Sequence, residues 1–588
     1  MALLAACQPS STKTETTVST TNTAFAGFLD NYYEASIKMF PLEATSNGDP
    51  RYNDLLSIDF TDDARAEQKS FYTSILDSLK QYDYEKLNEE EKLSYDVLSH
   101  DMHLGLDGLT FNDNLLPSNQ FYGMPLTIGQ LGSGSGSQPF KTVQDYQNWL
   151  KRADRFTVWV DSAIVYFKKG MTENVVWPKS LVVKMIPQMT NMVVATPEQS
   201  LFYGPVKLLP ASFSDSDKQN ITAAYKVAIM EKLVPAYKKM GEFLKNEYLP
   251  KARTTSGVNG MPNGDNYYAY QVRANTTTNK TPDEIYNTGL SEVKRILAEM
   301  ERVKSETGFK GDLKAFFEFM KTDKQFMPYK TPDDVINAFY HIYSVMKPNL
   351  VKMFNDTPKT KFEVRQTEAF RAASASAEYN QGTPDGSRPG IFYVPILDAT
   401  KYNTTSGMES LFLHEAIPGH HYQISLQQEN TSLPTFRRFD GNGAYVEGWA
   451  LYCESLGKEL GLYTDPYQYM GALGDEMHRA VRLVVDVAIH TKNMTREEAI
   501  KYMMDHEAIS EQGATAEIER YMAIPGQALS YKIGALKIRE LRTKYEKQLG
   551  QGFNLATFHT EILKDGSLPL DVLEAKMDKW AAAQTDKK

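Results

Sequence analysis

The chain has 588 residues, 41% hydrophobic and 23% charged, the balance of a protein that folds around a large apolar core rather than of a disordered chain. Its formal net charge of −10 excludes the basic footprint expected of a nucleic-acid binder. The two cysteines, Cys7 and Cys453, imply no disulfide framework, and no run of about 18 or more apolar residues is present to span a bilayer.

Leu4-Ala5-Ala6-Cys7 looks like a bacterial lipobox, in which the cysteine is acylated and becomes the mature N-terminus. The segment ahead of it lacks a charged n-region and a full apolar h-region. The Ser/Thr/Lys-rich stretch that follows, up to residue 22, reads as a solvated tether. The expectation is a lipid-anchored protein of the bacterial cell envelope, facing the periplasm or the cell surface, whose only membrane contact is that anchor.

Residues 23–260 are expected to form an N-terminal helical lobe. Apolar residues recur at helical spacing from Phe25 to Phe40. Thr61 caps a helix running to Tyr82, with Phe71, Ile75, Leu79 and Tyr82 as its buried stripe. Asn88 and three glutamates open the next, which turns Leu93, Val97 and Leu104 inward. Residues 115–139 break the helical pattern, and the alternating Gly-Ser run 132–137 reads as a flexible surface loop. Helices resume near Thr142, Pro197 and Asp215. Gly, Thr and Asn crowd residues 253–266, the expected boundary to a metal-binding catalytic lobe over 261–588.

In that second part Tyr267 to Tyr270 reads as a short strand. Thr281-Pro282-Asp283-Glu284 is a capping box with Pro at the first helical position, opening a helix with Ile285, Val293, Ile296, Leu297 and Met300 on one side. Thr331 to Asp334 repeats the arrangement with Asp in place of Glu. Gly390 to Ile396 is the clearest strand of the chain. From Met408 onward almost everything is helical. The predicted fold is mainly α with a few short β-strands, in two lobes around a deep cleft.

The chemistry concentrates in Ser410 to Gln423, SLFLHEAIPGHHYQ, which holds His414, Glu415, His420 and His421. A His-Glu pair ending an apolar lead-in is the opening of a zinc-hydrolase helix: the His binds metal and the Glu takes a proton from the activated water. A regular motif would place the second ligand four residues on, where Pro418 stands. On a straight helix six residues turn about 600° and rise about 9 Å, the wrong face, and seven rise about 10.5 Å. Two imidazoles each about 2.0–2.1 Å from one zinc cannot be so far apart. The helix must break between them, and Pro418-Gly419 supplies the break. Gly419-His420 then stands where the second ligand belongs, with His421 as the alternative.

Zinc needs a third protein ligand. Glu447 lies in AYVEGWALYCESL among Tyr445, Trp449, Leu451 and Tyr452, where a carboxylate requires a partner. A metal is one; Arg482 is the competing one. Glu454, seven residues on and on the same face, is placed to accept from a ligand histidine.

HEAIPGHHYQ, EGWALYCESLGKELGLY, HRAVRLVVDVAIH, IERYMAIPGQALSYKIG, DGSRPGIFYV and YYAYQVRANTTTNKTPDEIY resemble the bacterial family known as domain of unknown function 885, from about residue 25 to the C-terminus. That family is in turn similar to the helical gluzincin peptidases, which pair a His-Glu helix and a Gly-His ligand with a Glu on a later helix. The resemblance implies a zinc peptidase for short peptides, binding one ion. His414, His420 and Glu447 would be ligands and Glu415 the general base. It also implies a late Tyr that donates to the oxyanion, with a His nearby: Tyr521 or Tyr531, with His490. Arg482 and Lys532 are candidates to hold a substrate carboxylate, within a polar run that includes Gln527. Arg388 leads into the strand carrying Tyr393, whose edge is expected to align an extended peptide. The rival reading is a non-catalytic substrate-capturing lipoprotein; a third is a zinc hydrolase of a non-peptide amide or ester.

Overall fold

A computed structural model describes residues 22–368, 376–386 and 388–585. Cys7, the tether and Ser387 fall outside the described residues. The protein is mainly α, with one three-stranded sheet among the described residues.

Side-chain caps set most helix starts. Asn22 opens the helix Thr23–Met39, and Thr61 the helix Asp62–Leu79, by accepting from Ala64 N at 3.2 Å. Asn88 and Glu91 form a reciprocal box before Glu89–Gly108. Thr281 with Glu284, and Thr331 with Asp334, do the same for Pro282–Glu306 and Pro332–Met353. Each such cap contributes about 1 kcal/mol.

Two expectations fail for local reasons. The supposed strand at Tyr267–Tyr270 lies inside the helix Gly264–Thr276. Its buried residues Tyr268, Val272 and Thr276 recur every fourth position, so the helical period extends beyond the aromatic cluster. The break predicted over 115–139 contains the helix Met124–Gly132, whose buried Ile128 and Leu131 pack beneath the following Gly-Ser run. At the expected boundary, Arg253 Nε donates to Val176 O at 2.9 Å and Val258 N to His490 Nδ1 at 3.0 Å, tying the segment to elements on both sides. The apolar core is continuous from Phe25 to Ala581.

The site is built from the C-terminal third. Strand β1 (Phe362–Gln366) pairs parallel with β3 (Gly390–Val394), which pairs antiparallel with β2 (Glu378–Asn380), giving the order β1-β3-β2. The predicted strand is therefore central, with neither edge open to a peptide. Beside the sheet lie Met408–Glu415 and His420–Glu429, then Gly443–Glu454, which packs along Ser530–Leu549. That last pair approaches closely because a Cβ on Gly534 would sit 1.9 Å from Ala444 O. The long helix Pro466–Thr491 closes the site and packs against Pro282–Glu306.

Candidate metal centre

The helix carrying His414 and Glu415 ends at Glu415, and the next begins at His420. Ala416 and Gly419 leave helical geometry, with φ/ψ of −108/−102 and −73/−130. Trp449 Nε1 donates to Pro418 O at 2.8 Å and fixes the turn. Only glycine fits at 419, because a Cβ there would stand 1.9 Å from His414 O. The turn folds the second helix back so that His420 comes beside His414, the rings 4.8 Å apart and perpendicular.

Glu447 completes the group. Its Oε2 lies 3.5 Å from His414 Nε2 and 3.5 Å from His420 Nε2, and one donor atom from each residue falls within 4.8 Å of the others. Tetrahedral zinc at about 2.0–2.1 Å from each donor would space them about 3.3–3.4 Å apart, so the separation suits an ion at the centre. Glu447 Oε2 is buried and has no hydrogen-bond partner of its own, which is costly unless a cation sits there. Two imidazoles and a carboxylate are also the donor set of a catalytic zinc site. These residues fit a zinc ion.

Glu454, two turns from Glu447, holds His414 from the other side: Nδ1 to Glu454 Oε1 is 2.7 Å, fixing Nε2 as the donor turned inward. Burial disfavours the charged form of His414, yet the Glu447 and Glu454 carboxylates beside it outweigh this and push its pKa up to about 10. Burial likewise opposes the Glu447 carboxylate, and the His414 and His420 imidazoles beside it hold its pKa well below the usual range. Glu415 is partly exposed, with its pKa raised by burial against the pull of His414 and His420.

His421 turns away. Its Nδ1 meets Tyr379 OH at 3.0 Å, its ring packs on Phe362, and burial lowers its pKa to about 4. It belongs to the packing of the helix on the sheet, and it is His420 that lies beside His414 and Glu447. Arg482, the alternative partner for Glu447, instead bonds Glu517 Oε2 at 3.0 Å.

The remaining candidates separate by position. His490 is fully buried; Nδ1 accepts from Val258 N, Nε2 donates to Tyr521 O at 3.0 Å, and the ring stacks on Tyr268. With both nitrogens occupied by backbone it cannot serve as the expected catalytic His. Tyr521 OH donates to Glu517 at 2.6 Å and accepts from Arg482 Nε at 2.9 Å, so its proton is committed. Tyr531 differs: it is partly exposed, lies beneath the Arg482 guanidinium at 5.0 Å, and its pKa is raised first by burial and next by Glu447. Lys532 is buried between Glu476 at 2.7 Å and Glu292 at 2.9 Å, already neutralised, which removes it as a carboxylate anchor. Gln527 Oε1 accepts from Arg520 NH1 at 2.8 Å. Arg388 is exposed and donates to Gln381 O, while Tyr393 bonds Arg365, both in the sheet region.

Sequence reasoning missed Glu517. Its Oε2 also takes Arg520 NH2 at 2.8 Å, and His478 Nε2 lies 3.4 Å away. The signal was present as a polar stripe, Glu517, Arg520 and Tyr521 at i, i+3 and i+4, on a helix otherwise turned to the core.

The fold recurs in two solved structures described as putative lipoproteins. One, from Colwellia psychrerythraea, is 27% identical at a TM-score of 0.86, over 95% of this chain and 99% of that one. The other, of unknown function from Shewanella oneidensis, is 20% identical at 0.73, over 94% and 99%. A Pyrococcus furiosus carboxypeptidase aligns over 97% and 99% at a TM-score of 0.36 and 9% identity, too weak a likeness to carry an argument. No curated protein matches the sequence. The family described as "Bacterial protein of unknown function (DUF885)" matches residues 41–577, nearly the whole described chain, and this protein belongs to it.

Proposed function

We propose that the protein is a zinc-dependent peptidase acting on short peptides. The observation that carries this reading is the buried, unpartnered Oε2 of Glu447 facing two imidazole nitrogens at 3.5 Å, beside the Glu415 carboxylate. A zinc ion held by His414, His420 and Glu447 supplies a Lewis acid that polarises a carbonyl and makes water nucleophilic near neutral pH.

Glu415 is the general base. It follows a ligand in sequence, sits on the last turn of the same helix, and makes no hydrogen bond among the described residues that would occupy its oxygens. It takes a proton from water and returns it to the leaving amine. Tyr531 is the oxyanion donor in place of Tyr521, because its hydroxyl feels the Glu447 carboxylate and is not spent on Glu517. Arg482 and Arg520 share the single carboxylate of Glu517, which leaves positive charge over Tyr531 and Gln527 for a substrate carboxylate. The lipobox-like Cys7 and the description of two structural relatives support a lipid-anchored place in the cell envelope. Among the described residues no helix is long and apolar enough to cross a membrane.

The test is Glu415→Gln on zinc-loaded protein with a mixed peptide library. Turnover should fall about 10²–10⁴-fold with zinc content unchanged. Full activity in that variant, or in metal-free wild type, would remove the mechanism.

A further inference from the structure

A cavity of about 410 Å³ opens beside the C-terminal end of the Gly443–Glu454 helix. Its wall includes Glu454, whose carboxylate holds His414, with Tyr452, Tyr463 and Tyr469 around it. The charges that line it do not cancel. Glu292 and Glu476 are matched by Arg295 and Lys532, with contacts of 2.7 to 2.9 Å. Glu454 is engaged by His414 Nδ1 at 2.7 Å. Lys458 and Arg539 are left. Among the described residues neither makes an ion pair: Lys458 lies 3.9 Å above the Tyr469 ring, and Arg539 stacks on Tyr452 at 5.3 Å and donates to Ser455 Oγ. Glu299 and Glu459 are committed, to Arg302 at 2.6 Å and to Arg542 at 2.9 Å. Two unpaired cations, a hydroxyl and aromatic faces around one cavity form a receptor for a small organic anion with an apolar body.

We propose that this cavity binds a small aromatic or aliphatic carboxylate between Lys458 and Arg539, and that its occupancy is felt at the metal centre through Glu454. The coupling has a short path. Ser455, which Arg539 holds, directly follows Glu454, and Tyr463 OH, on the cavity wall, donates to Glu454 O at 2.8 Å. A ligand that shifts the end of this helix shifts the acceptor of His414 Nδ1. By linkage, an anion that changes zinc affinity has its own affinity changed by zinc to the same degree.

The experiment is calorimetric titration of benzoate into zinc-loaded full-length protein, in wild type and in a Lys458→Gln/Arg539→Gln double variant. Lys458 is exposed and Arg539 partly so, and the variant should keep its fold, verified by its melting temperature. Binding to wild type, weakened roughly tenfold or more in the variant, is the expected result. Equal affinity in the two proteins overturns the site. So does binding that disappears from wild type once zinc is removed, because benzoate would then be sitting on the metal. Zinc affinity, measured against a competing chelator with and without saturating benzoate, should differ at least threefold in wild type and not in the variant. No difference in wild type overturns the coupling. The Glu415→Gln protein should bind benzoate as wild type does, which separates failure of this proposal from failure of the peptidase reading.

Discussion

Glu454 and Tyr531 carry the sharpest consequences at the scale of single residues. Glu454 contacts no ion donor position itself; it fixes which nitrogen of His414 points inward. Glu454→Ala should therefore weaken zinc binding about 10–100-fold, read by chelator competition, while His420 and Glu447 keep their places. The two tyrosines make a paired test. Tyr531→Phe should lower kcat by roughly 10²-fold or more with little change in melting temperature, as expected on loss of an oxyanion donor. Tyr521→Phe should instead lower the melting temperature, because Glu517 loses its 2.6 Å donor. The reverse pattern would return Tyr521 to the donor role. The residue types at the centre were legible because His-Glu, Gly-His and a buried Glu have few other reasons to occur together. Which tyrosine keeps its hydroxyl clear of Glu517 was not, since both lie in the same polar run and differ only in what their neighbours occupy.

The break at residues 416–419 is the element on which the centre depends. Spacing alone required it, since no straight helix brings residues six apart to one ion. The structure adds why it holds: Pro418 O is tied to Trp449, and position 419 has no room for a side chain. Gly419→Ala should push His420 away from His414, and the outcome is measurable as loss of zinc with a melting temperature lowered by several degrees. An alanine variant with full zinc content would show that the turn yields without moving the ligand. The strand misread at Tyr267–Tyr270 has the opposite lesson. Aromatic residues favour strands locally, but every fourth residue onward to Thr276 is buried, and burial on one face decides the element.

At the scale of the whole molecule, buried charge sets a pH dependence independent of the metal. Asp486 is fully buried, and burial raises its pKa to about 7, against donors from Tyr268 at 2.6 Å and Gly526 N at 3.1 Å. In the unfolded chain the same group titrates near its ordinary value of 3.8. The folded protein thus holds a proton that the unfolded chain has lost, and this contribution fades as pH rises from about 4 to above 7. Asp486→Asn should flatten that decline, so that its melting temperature relative to wild type is higher at pH 8 than at pH 5. A constant difference between the two proteins across that range would show that Asp486 is charged throughout.

The amino-acid sequence by itself determined the helical class, the capped starts at Asn88, Thr281 and Thr331, the need for a break after Glu415, and the candidate group of His414, Glu447 and one of two adjacent histidines. These follow from local periodicity, capping and the reach of a side chain along one helix. Only the tertiary structure decided that His420 and not His421 lies beside His414 and Glu447, that Tyr521 is held by Glu517 while Tyr531 is not, that Lys532 is neutralised and that His490 is bound to backbone. Each of those depends on which distant helix supplies the opposing charge or backbone atom, and that pairing is set by how the helices pack, which no local pattern encodes.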